Sequence, residues 1–419
     1  MSASLALAHK TFHKWLSDDY DTDSLDLILA SLAVQRMNGL PLWPLILSGS
    51  GNAKTETVNT ATAVGAVAVS TISSEGALLS ASSAKDRAED ATGGLLREIG
   101  SDGVLVVKDM TSILSANGDI MKTVLGALRE IYDGSWVRKT GSDGGKSLEW
   151  AGRLTVIGAV TSSWDEHQSA VSAMGDRFCL IRVDSSKGRT RQGRQAMANT
   201  GDEKLMAAEL ERAVKSVMDD ADTEGVKLTD EEGETLLVAA DLVTRARSSV
   251  VHDRRGNPEY AMQPEMPTRF AKQLAQIVRG GVAVGMDRVD AVALAMRVAH
   301  DSIPPLRLEI MEFLQGRELT KVLDIRKGVG KPRTTVKQEL ERMELLGLLD
   351  GDEVEEMYGG KPVYRAMYTL ADDTDPDVLE VAREPDEVDD ELAALLDEDN
   401  SATDEQVDGR WEPSWSPTR

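Results

Sequence analysis

The chain has 419 residues, 28% of them charged, a formal net charge of −24 and one cysteine, Cys179. Its length exceeds one ordinary domain of about 100 to 200 residues and suits two or three, while a lone cysteine in an apolar stretch excludes a disulfide framework and a cysteine-based metal cluster. No apolar run approaches the ~20 residues that span a bilayer, and the N-terminus interleaves His9, Lys10, His13 and Lys14 with apolar residues instead of building a signal-peptide core, so a cytoplasmic protein with no membrane partner is expected.

The charge is uneven. Residues 371–419 hold eighteen acidic and three basic side chains, a net of −15, which leaves −9 for the other 370 residues. Between Leu319 and Gln338, Lys321, Arg326, Lys327, Lys331, Arg333 and Lys337 face Asp324 alone, a local net of +5. An acidic tail therefore hides a basic patch, and nucleic acid stays among the candidate partners.

In chain order, residues 1–40 read as helical, with apolar residues at three and four spacing in "SLDLILASLAVQRM". Strand and helix patterns then alternate: a strand at Leu42–Leu47, a helix from Lys54, "AVAVSTI", a helix near Ser82–Glu98, "GVLVVKD", a helix over Asp119–Tyr132, and "RLTVIGAVTS". Short β-branched runs between helices imply an α/β fold with a largely parallel sheet covered on both faces. From about Asp202 the pattern turns helical, with "EKLMAAELERAVKSVM" and "PTRFAKQLAQIVRGG" as the clearest amphipathic pieces, and after Pro304 and Pro305 the composition shifts again. The expected division is 1–40, an N-terminal helical segment; 41–200, an α/β domain; 201–303, a helical subdomain; 304–370, a C-terminal module; and 371–419, an acidic tail poor in aromatics until its two tryptophans, most of which should be disordered.

The first motif is "LILSGSGNAKTETV", Leu45–Val58. A strand that hands over to a helix through a glycine-containing turn can aim backbone N–H groups at phosphate oxygens, with a lysine on the terminal phosphates and the next hydroxyl on magnesium. Gly49, Ser50, Gly51, Asn52 and Ala53 supply the turn, Lys54 the charge and Thr55 the hydroxyl. Ser48 and Ala53 stand where G-x-x-x-x-G-K-[ST] has glycine; alanine fits if its backbone is right-handed. The competing reading is a glycine turn before an ordinary helix.

"GVLVVKDMTSIL" delivers Asp109 to the end of a buried strand, where doubly wound sheets place their ligands and where this carboxylate would hold magnesium. Met110 and Thr111 follow, so the glutamate that often activates water after such an aspartate is missing. Glu75 in "STISSEGALLS" is the candidate base, and equally a helix N-terminal acid. "RLTVIGAVTSSWD" ends a third strand in Thr161, Ser162 and Ser163, hydroxyls that either orient water or form a turn. "SAMGDRFCLIRVD" sets Arg177 before a fourth strand, as a finger for a neighbouring subunit's phosphate or as a surface ion pair.

In this order the motifs resemble the AAA+ ATPases, particularly the MCM-like branch, whose phosphate loop often reads G-x-P-x-x-A-K-S. "SGSGNAKT" fits that variant, "GDRFCLI" looks like its S-R-F-D arginine-finger segment, and "PTRFAKQL" resembles the lid segment whose second sensor arginine maps onto Arg269. Over residues 40–300 the resemblance implies a P-loop sheet with a helical lid, ATP and Mg2+ as cofactors, a ring or partial ring of identical subunits, and hydrolysis coupled to DNA. The missing Asp-Glu pair and the absent sensor asparagine depart from the pattern.

"DGSWVRKTGSDGGKSLEWAG" reads as a β-hairpin, placed where MCM-like ATPases carry a DNA-touching hairpin; Arg138, Lys139, Lys146 and Arg153 give it basic character, and Trp136 and Trp150 brace it or simply pack across the strands. In the C-terminal module, helices starting near Leu306, Glu318 and Pro332, then a "GGKP" hairpin, resemble a winged helix-turn-helix domain. DNA contacts are expected from Lys331, Arg333, Thr334, Thr335 and Lys337 on its third helix and from Lys361 and Arg365 on its wing, although such modules also bind proteins. The acidic tail is a solubilising extension, a segment for a protein partner, or a competitor that masks the basic helix. Together these expectations describe a phage or mobile-element ATPase of the replication initiator, helicase or loader type; the alternative is an ATP-binding transcriptional regulator with little hydrolysis.

Overall fold

The computed structural model describes residues 1–80, 93–140, 146–167, 177–186, 188–358 and 361–380. At its centre five strands, β1 (Trp43–Leu47), β2 (Val67–Val69), β3 (Asp102–Val107), β6 (Arg153–Val160) and β7 (Phe178–Arg182), form a parallel sheet in the order β2-β3-β6-β1-β7. Between β3 and β6 in the chain, β4 (Ser135–Thr140) and β5 (Lys146–Ala151) pair as a separate antiparallel hairpin. Successive residues of a strand face opposite sides, and the two cores divide accordingly. Trp43, Leu45 and Leu47 of β1, with Phe178 and Leu180 of β7, enter one core; Ile46, Cys179 and Ile181 enter the other.

The helices follow the sequence pattern in most places. α1 (Ala3–Leu16) and α2 (Asp23–Gln35) precede the sheet; α3 (Lys54–Asn59), α4 (Glu75–Leu78), α5 (Leu95–Ile99), α6 (Thr111–Leu114), α7 (Gly118–Tyr132) and α8 (Ser163–Glu166) lie between its strands. The helix expected near Ser82–Glu98 falls largely on residues outside those described; α5 lies at its end. α7 covers one face through Val124, Leu128 and Ile131.

α9 (Arg189–Ala198), α10 (Glu203–Asp220), α11 (Asp230–Ala246), α12 (Thr268–Ala283) and α13 (Arg288–Asp301) follow β7, with a small hairpin of β8 (Val250–His252) and β9 (Pro258–Ala261) between α11 and α12. α2 is buried along its whole length and packs on α12. The helices approach closely because Gly280 has no side chain: a Cβ there would sit 2.4 Å from the Ala30 carbonyl oxygen. The N-terminal helices therefore share one core with the helices after β7.

α14 (Pro305–Leu314), α15 (Val322–Val329) and α16 (Arg333–Leu345) lead to a long hairpin of β11 (Leu349–Tyr358) and β12 (Lys361–Leu370), with β10 (Thr320–Lys321) pairing to β12. The second helix of this module begins at Val322, not near Glu318, because Thr320 and Lys321 are taken up as strand opposite Tyr368 and Met367. Pro332 caps α16 from outside instead of occupying its first turn. Arg307 ties the module to α11: it donates to Glu339 Oε1 at 2.7 Å and to the carbonyls of Ala246 and Ser248. No described helix is long and apolar enough to cross a membrane.

Candidate functional site

The loop after β1 opens at the carboxyl edge of the sheet. β1 lies between β6 and β7, both later in the chain, so the strand order reverses there; such a reversal leaves a crevice outside the strand ends. Gly51 takes φ +80, and a Cβ on Gly49 would meet Ser185 Oγ at 2.6 Å, so both glycines answer a geometric need. Ala53, at the N-cap of α3, has φ 50 and ψ 14, a left-handed conformation. The right-handed backbone that would make alanine unstrained here is not what the loop adopts.

Lys54 folds over its own turn, donating to the carbonyls of Ser48 at 2.9 Å and Gly49 at 2.6 Å. Burial pushes its ammonium below the ordinary lysine range, and the carboxylates of Asp109 and Glu56 act in the opposite direction. Thr55 is exposed at the start of α3. The Asn52 side-chain nitrogen is buried without a hydrogen-bond partner, an unmet donor in the turn itself.

Asp109 follows β3 and is oriented by the next turn: Oδ1 accepts from the Thr111 N–H at 2.9 Å and Oδ2 from the Ser112 hydroxyl. Across the gap to β6, the Thr161 hydroxyl lies 3.4 Å from that of Thr111 and 3.0 Å from that of Ser163. Ser162 is exposed at the start of α8. Lysine, aspartate and a hydroxyl cluster thus gather at one sheet edge. Among the described residues no group of three or more His, Cys, Asp or Glu could hold a metal alone, so a magnesium ion here would depend on Asp109, Thr55 and the oxygens of a bound phosphate, as this ion usually does.

A cavity of about 230 Å³ adjoins the loop, lined by Gly51, Asn52 and Ala53 on one side and by Trp15, Tyr20 and Met206 on the other. Tyr20 bonds the Thr57 hydroxyl at 3.0 Å, and burial raises its own phenol well above the usual range. These walls come from α1, the segment after it and α10, which the loop motif alone does not point to. A second unforeseen feature is an ionic lock at the end of β7. Arg182 grips Asp165 with two bonds, of 2.9 and 2.7 Å, while Arg297 of α13 reaches Asp301, Asp23 and Asp21 at 2.9, 3.2 and 3.0 Å.

Glu75 opens α4 and accepts from Arg138 Nε at 2.9 Å; Arg138 also donates to the Leu79 carbonyl. Arg138 therefore points inward with Trp136, Leu148 and Trp150, and the two tryptophans sit directly opposite one another in the hairpin. Lys139 and Val137 face outward. The side chain of Lys146 lies outside the described residues. Arg153 belongs to β6, not to the hairpin, and donates to the carbonyls of Val34 and Met37 at the end of α2.

Arg177 precedes β7, at the amino edge of the sheet, since Phe178 pairs with Trp43 and Arg182 with Leu47. Five strand residues, about 16 Å, separate it from the Lys54 loop. Its guanidinium bonds Asp133 at 3.0 Å and lies over the Tyr132 ring; burial, then the neighbouring Arg269, lower its pKa. Arg269 pairs with Glu265 at 2.7 Å and has a buried, unbonded Nη1. One turn on, Gln273 bonds the Arg177 carbonyl and the Tyr132 hydroxyl.

At the start of α16, Arg333, Thr334, Thr335 and Lys337 are exposed, and Lys331 just before it pairs with Glu309 at 3.2 Å. The long hairpin is different: Arg365 pairs with Glu356 at 3.0 Å, and β11 carries Asp350, Asp352, Glu353, Glu355 and Glu356. The side chain of Lys361 lies outside the described residues. No family model matches this chain, and no curated protein matches it.

Proposed function

We propose that the protein is an ATP-dependent, DNA-acting P-loop ATPase of the AAA+ kind its motifs resemble, working as a homo-oligomer in replication of a phage or mobile element. The observation that carries the reading is the convergence of Lys54, Asp109 and the Thr111–Thr161–Ser163 hydroxyls at the reversal point of a parallel sheet, beside a cavity walled by Trp15, Tyr20 and Met206. Lys54 and the turn's N–H groups would hold the phosphates, Thr55 and Asp109 the magnesium, and the cavity the base, which would stack on Trp15, Tyr20 or Met206 while Asn52, Gln192, Asn199 and the carboxylates of Glu56 and Glu203 offer polar contacts at its edge. Bound magnesium would draw charge from the phosphate oxygens. Glu75 would activate water once free of Arg138.

Arg177 and Arg269 stand together at the edge opposite their own loop, which supports service to the nucleotide of the next subunit. Residues 304–370 fit a winged helix-turn-helix reading, in which α16 enters a DNA groove through Arg333, Thr334, Thr335 and Lys337. The acidic β11 makes the wing a poor partner for phosphates, so α16 and Lys139 carry the DNA contacts in this reading.

The Arg138–Glu75 pair also favours a second reading, an ATP-switched DNA-binding regulator that turns over slowly, because the best base is already neutralised by a partner. ATP binding and turnover of the full chain, with and without DNA, separate the two. The motor reading expects DNA-stimulated turnover abolished by Lys54→Ala and reduced by Glu75→Gln, about 10²-fold or more for loss of a general base. Binding without turnover selects the regulator, and a parent chain that binds no ATP defeats both.

A further inference from the structure

We propose that α9 is a DNA-backbone contact surface beside the nucleotide loop, an inference that rests on the DNA-acting reading above. The stretch "SSKGRTRQGRQAMANTG", residues 185–201, has four basic and no acidic residues in a chain of net −24. Packing does not explain it: α9 has no buried residue. Its inner side is fastened by polar bonds, from Gln195 to the Lys14 carbonyl at 3.1 Å and, just beyond its end, from Asn199 to the Trp15 carbonyl at 2.7 Å. Arg191 pairs with Asp19 at 3.1 Å, whereas Arg189 and Arg194 are exposed and form no ion pair among the described residues. Space around Gly193 is open, which lets another backbone approach.

The chemistry of the outward side selects a polynucleotide over a protein. A protein interface needs an apolar centre, and α9 exposes only one large apolar side chain, Met197. Arginine and threonine are instead the donors that position a duplex through its phosphates without reading bases. The placement links the contact to the nucleotide site: Gln192 and Ala196 line the cavity beside the loop, and Ser185 abuts Gly49. A duplex held on α9 therefore touches the element that walls the cavity.

Each phosphate neutralised contributes about 0.9 to the slope of log K against log salt. Duplex binding by the full chain, followed by fluorescence anisotropy from 50 to about 200 mM salt, should give a slope shallower by roughly 1 to 2 in an Arg189→Ala/Arg194→Ala variant, with weaker binding at the low end. Both positions are exposed, so far-ultraviolet circular dichroism should match the parent. A parental slope in the double variant overturns the inference and leaves the DNA-acting reading intact. A variant that binds DNA more tightly than the parent also overturns it. A parent that binds no duplex at any salt defeats the DNA-acting reading itself.

Discussion

Ala53 is the residue at which the phosphate-loop motif and backbone sterics meet. Its φ of 50 puts a Cβ in a region that costs an L-residue about 1–2 kcal/mol, and only glycine enters it freely. The chain tolerates this because both flanks are held: Lys54 is bonded to the turn's carbonyls, and the Thr57 hydroxyl donates to the Ala53 carbonyl at 2.8 Å. Ala53→Gly should therefore raise the unfolding free energy by a net of about 0.5–1 kcal/mol, and the denaturation midpoint with it, since glycine also gains freedom in the unfolded chain. A lower midpoint would mean that the loop does not hold Ala53 left-handed in solution. At the same scale, Glu75 begins a helical turn, as its reading as a helix N-terminal acid expects, and its carboxylate is engaged by a cation, Arg138, that the hairpin brings from 63 positions away.

Among the elements, the regular ones were legible and the bridging ones were not. β1, β3, β6 and β7 announce themselves as short buried apolar runs, and α7 by its stripe of Val124, Leu128 and Ile131, because burial imposes a period on the sequence. The cavity walls at Trp15 and Tyr20, and the Arg297 lock, join residues far apart in the chain, and no local period encodes such a meeting. The Arg307–Glu339 pair belongs to this class. Burial raises the Glu339 carboxyl, but Arg307 and Arg342 outweigh it and hold the group below its ordinary value. Its contribution is thus fully present above the unfolded value of 4.5 and is lost as pH falls through the lower folded value. Glu339→Ala leaves the Arg307 cation buried and unpaired against α11, so the expected loss is about 3–5 kcal/mol in denaturant unfolding near neutral pH. A loss below about 1 kcal/mol would place the pair among solvent-screened ones.

For the whole molecule, the direction of the sheet decides how a complete site would be built. All five strands run the same way, so the Lys54 loop sits at one edge, and Arg177 with Arg269 at the other. In the proposed function, where one copy's arginines serve the next copy's loop, the copies would meet head to tail, an arrangement that closes into a ring or continues as a filament. Mixing two inactive variants tests this directly. Lys54→Ala has a defective loop and intact arginines; Arg177→Ala has the reverse, and should still bind nucleotide as a separate protein. In an equal mixture of freely exchanging subunits about a quarter of the contacts pair an intact loop with an intact arginine, so turnover should return to roughly that fraction of the parent's. Failure to recover any turnover, in a mixture shown by subunit labelling to have exchanged, would confine Arg177 to its pairing with Asp133 and Tyr132. It would also leave the opposite-edge geometry as a feature of folding alone.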